Sequence, residues 1–189
     1  PAVVVDDPRA LNKLHAAGAL PHDFVAVVRY QGPRANGMPE LHSLAPLLGL
    51  LQNQGRRVAL VTDGRLSGAS GKIPAAIHLT PEAARGGPLA KLREGDIIRL
   101  DAEAGTLEAL VDAAQWAARE IAPNTSPAAL DLGRNLFAVS RDVVTPADRG
   151  AMSISCGLPY HDGTWEYDAE YELGDAAHAA EAPHEAKDA

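Results

Sequence analysis

Short aliphatic runs alternate with amphipathic and glycine-rich segments along the first eighty residues. Ala2–Val5 is one such run, closed by Asp6, Asp7 and Pro8. Pro8–Ala17 carries Leu11 and Leu14 at helical spacing and predicts a helix, with Gly18 as its stop. Phe24–Tyr30 (FVAVVRY) is rich in valine and reads as a buried strand. Residues 31–40 (QGPRANGMPE) are dense in Gly, Pro and Asn and predict a loop. Leu44–Gln54 predicts a second helix, capped by Ser43 and ended by Gly55. Arg57–Thr62 (RVALVT) reads as another buried strand.

Strand, loop, helix and strand in succession make a βαβ unit, whose strands are parallel and whose crossover is right-handed. Loops 31–40 and 63–72 should therefore leave the C-terminal ends of adjacent strands and meet at one edge of the sheet, where α/β proteins place ligands. Further along, Ala75–Leu79 predicts a short strand with His78 as a structural residue, and Pro81–Ala84 a helical turn. Asp96–Leu100 and Thr106–Val111 flank the turn Glu103–Gly105 and predict a hairpin. Ala113–Glu120 and Leu130–Ala138 predict helices, and the pattern dissolves from Thr145 onward. No internal repeat is present. The expected architecture is an α/β domain holding a βαβ unit, with added antiparallel strands curled into a barrel.

Charge changes this picture in one place. The formal net charge of -8 comes from nine acids and one lysine after Gly157. Residues 1–156 are neutral, so charge argues neither for nor against nucleic acid. The tail 157–189, poor in large apolar residues, is expected to be largely disordered. No run approaches the ~18 apolar residues of a membrane-spanning helix. The N-terminus has neither initiator Met nor signal-peptide pattern and starts in a strand, which suggests a piece of a longer chain. Cys156 is the single cysteine, which excludes an internal disulfide and fits a reducing cytoplasm; it is expected to be a buried thiol.

Candidate chemistry sits in the two glycine-rich loops. VTDGRLSGASGK (residues 61–72) combines Gly64, Gly68 and Gly71 with Arg65, Lys72, Ser67 and Ser70, a set that suits a carboxylate or phosphate. It is not a P-loop, since Leu66 stands where a glycine is needed and Ile73 where Ser or Thr is needed. It is not a nucleophile elbow, since Arg65 precedes Ser67 and Lys72 follows Ser70 at the positions that elbow reserves for glycine. Loop 31–40 adds Glu40, either a helix N-terminal acid or a ligand for a hard cation such as Mg²⁺. A metal-bound carboxylate beside a serine in an anion-friendly loop suits proton abstraction next to a substrate carboxylate. The histidines show no metal-binding spacing; His42 stands two residues from Glu40 and is placed to line the site.

Two stretches, RYQGPRANGMPELH (residues 29–42) and ALVTDGRLSGASGKIPAAIHLTPEA (residues 59–83), resemble the C-terminal domain of the dihydroxy-acid/6-phosphogluconate dehydratase family. GGPLAKLREGDIIRLDAEAGTLEALVD (residues 86–112) continues the resemblance in register, and GKIPAAIH favours the phosphogluconate branch. The resemblance implies an aconitase-type swivelling β/β/α domain over residues 1–156. It implies dehydration of a phosphorylated 2,3-dihydroxy sugar acid to a 2-keto acid in the Entner–Doudoroff pathway. Ser67 would be the base at C2 and Glu40 a Mg²⁺ ligand, with Arg65, Gly68, Ser70 and Lys72 holding substrate. An iron–sulfur cluster, of the 4Fe-4S type, would act on the leaving 3-hydroxyl from an N-terminal domain, in a cytoplasmic homodimer. The chain alone would then be inactive. The alternatives are another sugar-acid or dihydroxy-acid dehydratase, or a non-catalytic anion-binding module.

Overall fold

Four valine- and alanine-rich segments pair side by side in chain order. In the computed structural model, which describes residues 1–67, 71–125 and 135–153, β1 (Ala2–Val5), β2 (Phe24–Val28), β3 (Val58–Thr62) and β4 (Ala75–Ala76) form an all-parallel sheet in the order β1-β2-β3-β4. The register aligns Val5 with Val28 and Val28 with Thr62, so the β2 and β3 loops leave the sheet at the same level.

Between the strands, α1 (Pro8–Ala16) starts where the Asp7 side chain accepts the Arg9 amide, with Pro8 in the first turn. The crossover from β2 to β3 holds α2 (Pro33–Asn36), a 3₁₀ turn at His42–Leu44 and α3 (Ala45–Asn53). The 3₁₀ turn runs directly into α3, so Leu44 occupies the cap position in helical geometry. Ser43 is therefore not the N-cap expected of it.

Both faces of the sheet are covered, which suits strands made of continuous apolar residues. On one face Leu11 of α1 and Leu48 and Leu51 of α3 pack on Val3, Phe24, Ala26, Val28 and Leu60. On the other, Ala2, Val27 and Val61 meet Leu89, Leu92, Ile98, Ala109 and Trp116. That second cover includes the antiparallel hairpin β5 (Ile98–Asp101) and β6 (Thr106–Ala109), followed by α4 (Ala113–Ala118). The layers are thus helix, parallel sheet and hairpin. A later helix, α5 (Ala138–Val143), contacts α2.

The expected barrel does not form among the described residues. β5 and β6 bond to each other as a separate two-stranded sheet and lie on the face of the parallel sheet. The outer edge of β1 is taken by the 94–96 segment, where the Ala2 amide donates to the Asp96 carbonyl at 2.7 Å and the Val4 amide to Glu94 Oε2 at 2.7 Å. An edge satisfied in that way has no open donors left to close a barrel. Most of the expected helix at Leu130–Ala138, the acidic tail and Cys156 lie outside the described residues. Among the described residues no helix is long and apolar enough to cross a membrane.

One glycine here is fixed by close approach. A Cβ built on Gly87 would stand 1.7 Å from the Pro81 carbonyl oxygen and 2.6 Å from its carbon. Backbone cannot yield as a flexible side chain can, so Gly87→Ala should destabilise the domain by about 3 kcal/mol or more, read as a fall in the urea midpoint at unchanged m.

Candidate active site

At the C-terminal edge of the sheet the chain turns sharply after β2. Tyr30 adopts a left-handed backbone (φ 59) and its hydroxyl donates to the Ala122 carbonyl. Gln31 follows, buried, with its amide donating to Asp63 Oδ1 at 2.9 Å. Its side chain donates to the Asp6 carbonyl at 2.7 Å and accepts from Asn36 Nδ2 at 2.7 Å. α2 comes next, and its Arg34 and Ala35 amides donate to the two carboxylate oxygens of Glu82 at 2.9 and 3.0 Å. Gly37, left-handed at φ 69, ends α2 and returns the chain toward β3.

Glu40 then forms a single parallel bridge with Arg65, in which the Leu41 amide donates to the Arg65 carbonyl at 3.0 Å. Its side chain reaches across the same junction. Oε1 accepts the Ser67 amide at 2.7 Å, and Oε2 lies 3.3 Å from Arg65 Nη1. The Arg65 Nε donates to the Met38 carbonyl at 3.0 Å, so this guanidinium is held from both sides. Gly64 packs closely on Gln31, and its amide donates to Thr62 Oγ1 at 2.9 Å. The two loops predicted to meet do meet, and they bring together Glu40, Arg65 and Ser67.

Gly68 and Ser70 lie outside the described residues. Lys72 donates to Asn53 Oδ1 at 2.6 Å, at the far end of α3. Because Ala75 pairs with Leu60, residue 72 lies back toward the start of β3, and Lys72 is not drawn into the Glu40 cluster. His42 is exposed and opens the 3₁₀ turn that follows Glu40. His78 corrects an expectation, since β4 stops at Ala76 and His78 is exposed rather than buried in a strand. Its left-handed backbone (φ 59) sends its amide to the Gly64 carbonyl at 2.9 Å.

Two buried acids at this edge stand outside the pattern of the glycine-rich loops. Asp63 is 0% exposed and Glu82 3% exposed. Asp63 accepts amides from Gln31 and Ala83, both at 2.9 Å, yet burial pushes its carboxyl up to about 6. For Asp63 the signal available was its place directly after a strand whose residues are buried or nearly so, a position where exposure is not the default. A folded pKa raised above 3.8 means that the folded chain binds this proton more tightly than the unfolded chain does. Stability present below about pH 4 should therefore fall as pH rises through 6, by roughly 3 kcal/mol from this group. Denaturation midpoints between pH 4 and 7 should show that decline in the wild type and a flatter profile in Asp63→Asn.

Glu40 is the described carboxylate suited to a cation at this edge. A carboxylate offers about four acceptor positions, and the Ser67 amide and Arg65 use only part of them. Mg²⁺ is commonly bound through one or two carboxylates together with water and substrate oxygens, so a single protein ligand fits that ion. Among the described residues no group of three or more His, Cys, Asp or Glu is gathered as a self-sufficient metal site. An iron–sulfur cluster does not fit this chain, whose sequence has one cysteine.

Comparison with known proteins gives a consistent result. Residues 1–151 match the family described as dihydroxy-acid/6-phosphogluconate dehydratase C-terminal. A phosphogluconate dehydratase from Pseudomonas aeruginosa is 55% identical over 158 residues, covering 84% of this chain and 26% of that protein. One from Escherichia coli K12 is 53% identical over 156 residues, covering 82% and 26%. A dihydroxy-acid dehydratase from Solidesulfovibrio magneticus is 45% identical over 122 residues, covering 63% and 21%. The chain spans about a quarter of the length of these curated relatives.

Proposed function

Because the chain belongs to the dihydroxy-acid/6-phosphogluconate dehydratase C-terminal family, we propose that it is the part of a 6-phosphogluconate dehydratase that completes the active site. The substrate is then 6-phospho-D-gluconate and the product 2-dehydro-3-deoxy-6-phosphogluconate plus water. The observation that carries this reading is the hydrogen bond from the Ser67 amide to Glu40 across the ends of two parallel strands. Identities of 55% and 53% to proteins named phosphogluconate dehydratase, against 45% to one named dihydroxy-acid dehydratase, support the sugar-acid branch.

In this reading Ser67 takes the proton from C2, the 3-hydroxyl leaves with a proton as water, and the enol tautomerises to the ketone. A serine hydroxyl is a weak base that needs positive charge nearby to hold its alkoxide. Arg65 supplies one such charge from the same loop, though its pairing with Glu40 spends part of it. Mg²⁺ bound through Glu40 would supply Lewis-acid charge at the carboxylate end of the substrate. Glu40 in turn fixes the Ser67 backbone, so the base and the cation ligand cannot move independently. Gly68 and Ser70 would add contacts to the substrate. Help at the departing 3-hydroxyl has to come from outside this chain, in keeping with an iron–sulfur cluster held by another domain. A swivelling domain that closes over that partner in a cytoplasmic enzyme agrees with an active edge left open at the surface.

Substrate choice tests the reading. The intact enzyme should turn over 6-phosphogluconate with kcat/KM about 10²-fold or more above that for 2,3-dihydroxyisovalerate, since the phosphate offers charge-assisted bonds the smaller acid lacks. The reverse preference would move the chain to the dihydroxy-acid branch.

A further inference from the structure

Asp63 and Glu82 have no direct part in the chemistry above, yet both are buried at the edge that carries it. Each uses both carboxylate oxygens on backbone amides: Asp63 on Gln31 and Ala83, Glu82 on Arg34 and Ala35. Burying a carboxylate is costly, and hydrogen bonds of this kind offset the cost only when the geometry is held. Three loops are stitched together in this way: 31–40, 63–67 and 78–87. The fit leaves no slack, because a Cβ on Gly32 would stand 2.4 Å from Glu82 Oε2. The Arg85 guanidinium, 3.6 Å from Glu82 Oε1, also donates to the Val144 carbonyl and so extends the clamp toward the 145–153 segment.

Resting on the site proposed above, we infer that Asp63 and Glu82 are positioning residues: they clamp loop 31–40 to loop 63–67 so that Glu40 reaches the Ser67 amide. Neither touches substrate. The clamp grips the first half of loop 31–40 and leaves its second half, ending at Glu40, to be set by the Arg65 bridge. A carboxylate that caps two successive amides of one short helix fixes both its position and its rotation. A single hydrogen bond would fix only the position.

Native-state hydrogen exchange on the intact enzyme tests this. In the wild type the amides of Gln31, Arg34, Ala35, Ala83 and Ser67 should open as one cooperative unit with a shared denaturant dependence. In Glu82→Gln, which keeps side-chain size but loses one anionic acceptor, Ser67 exchange should accelerate about tenfold or more although Glu82 does not bond to Ser67. Strand amides Ala59–Val61 should not change. Gly32→Ala, which displaces the Glu82 carboxylate without deleting it, should give the same pattern. In both variants kcat should fall about tenfold or more with KM within about twofold, the mark of misplaced rather than missing groups.

A Ser67 amide that opens independently of Arg34 and Ala35 in the wild type overturns the clamp, whether or not the variants fold. So does unchanged Ser67 exchange in either folded variant. The underlying site reading fails differently: Ser67→Ala would keep full turnover while the cooperative opening of the wild type persisted.

Discussion

Ser67→Ala in the intact enzyme should lower turnover of 6-phosphogluconate by about 10²–10⁴-fold, the range for losing a positioned general base. The substitution keeps the main-chain contact that joins this loop to Glu40. The Ser67 amide, not its hydroxyl, donates to Glu40 Oε1, and alanine keeps that bond. Ser67 is exposed, so removing its hydroxyl opens no cavity in the core. The loss should therefore appear in kcat, with KM for the sugar acid within about twofold, as expected for a group that acts in the transition state. Solvent deuterium should also stop entering C2 of unreacted substrate, wherever the wild type allows that exchange. Steady-state kinetics with product quantified by its keto group measures the main effect.

Glu40→Gln should separate geometry from charge. Glutamine can still accept the Ser67 amide through its oxygen, so the junction of the loops survives. The ion pair with Arg65 is lost, but its partners are 52% and 29% exposed, and such surface pairs contribute about 0–1 kcal/mol. Thermal stability should hardly move. The half-saturating Mg²⁺ concentration should rise about tenfold or more, and turnover at saturating Mg²⁺ should fall at least ~10²-fold, because a neutral amide cannot balance a divalent cation. Activity titrated against Mg²⁺, beside a melting curve for each variant, separates the two effects. An unchanged Mg²⁺ requirement would remove Glu40 from the metal.

The convergence of loops 31–40 and 63–67 was legible because strand periodicity and the handedness of βαβ units fix which loop ends share an edge. FVAVVRY and RVALVT could hardly be anything but neighbouring buried strands, and that alone brings Glu40 and Ser67 to one side. What sequence could not supply was the fate of residues that break the local pattern. AAIHL reads as a short strand, but the Gly64 and Thr62 carbonyls take the His78 and Leu79 amides, and the chain turns His78 outward. Lys72 looked like part of an anion loop because it follows Gly71. The chain has by then travelled back toward the start of β3, where Asn53 binds it. Asp63 and Glu82 were passed over because composition treats acids as surface residues, whereas here four backbone amides hold them inside. The barrel failed for a related reason. Strand propensity predicts that β5 and β6 pair, but not that the 94–96 segment has already taken the sheet edge they would need.

The central claim is that this edge turns over substrate only when a cluster-bearing partner closes upon it. Keto-acid formation from 6-phosphogluconate in the presence of Mg²⁺, compared between the 189-residue chain alone and the same chain joined to the cluster-bearing domain proposed for it, tests that most directly. The account predicts no turnover from the chain alone and full turnover from the joined protein, abolished by Ser67→Ala. Turnover by the chain alone, or full activity of the joined protein carrying Ser67→Ala, would contradict it.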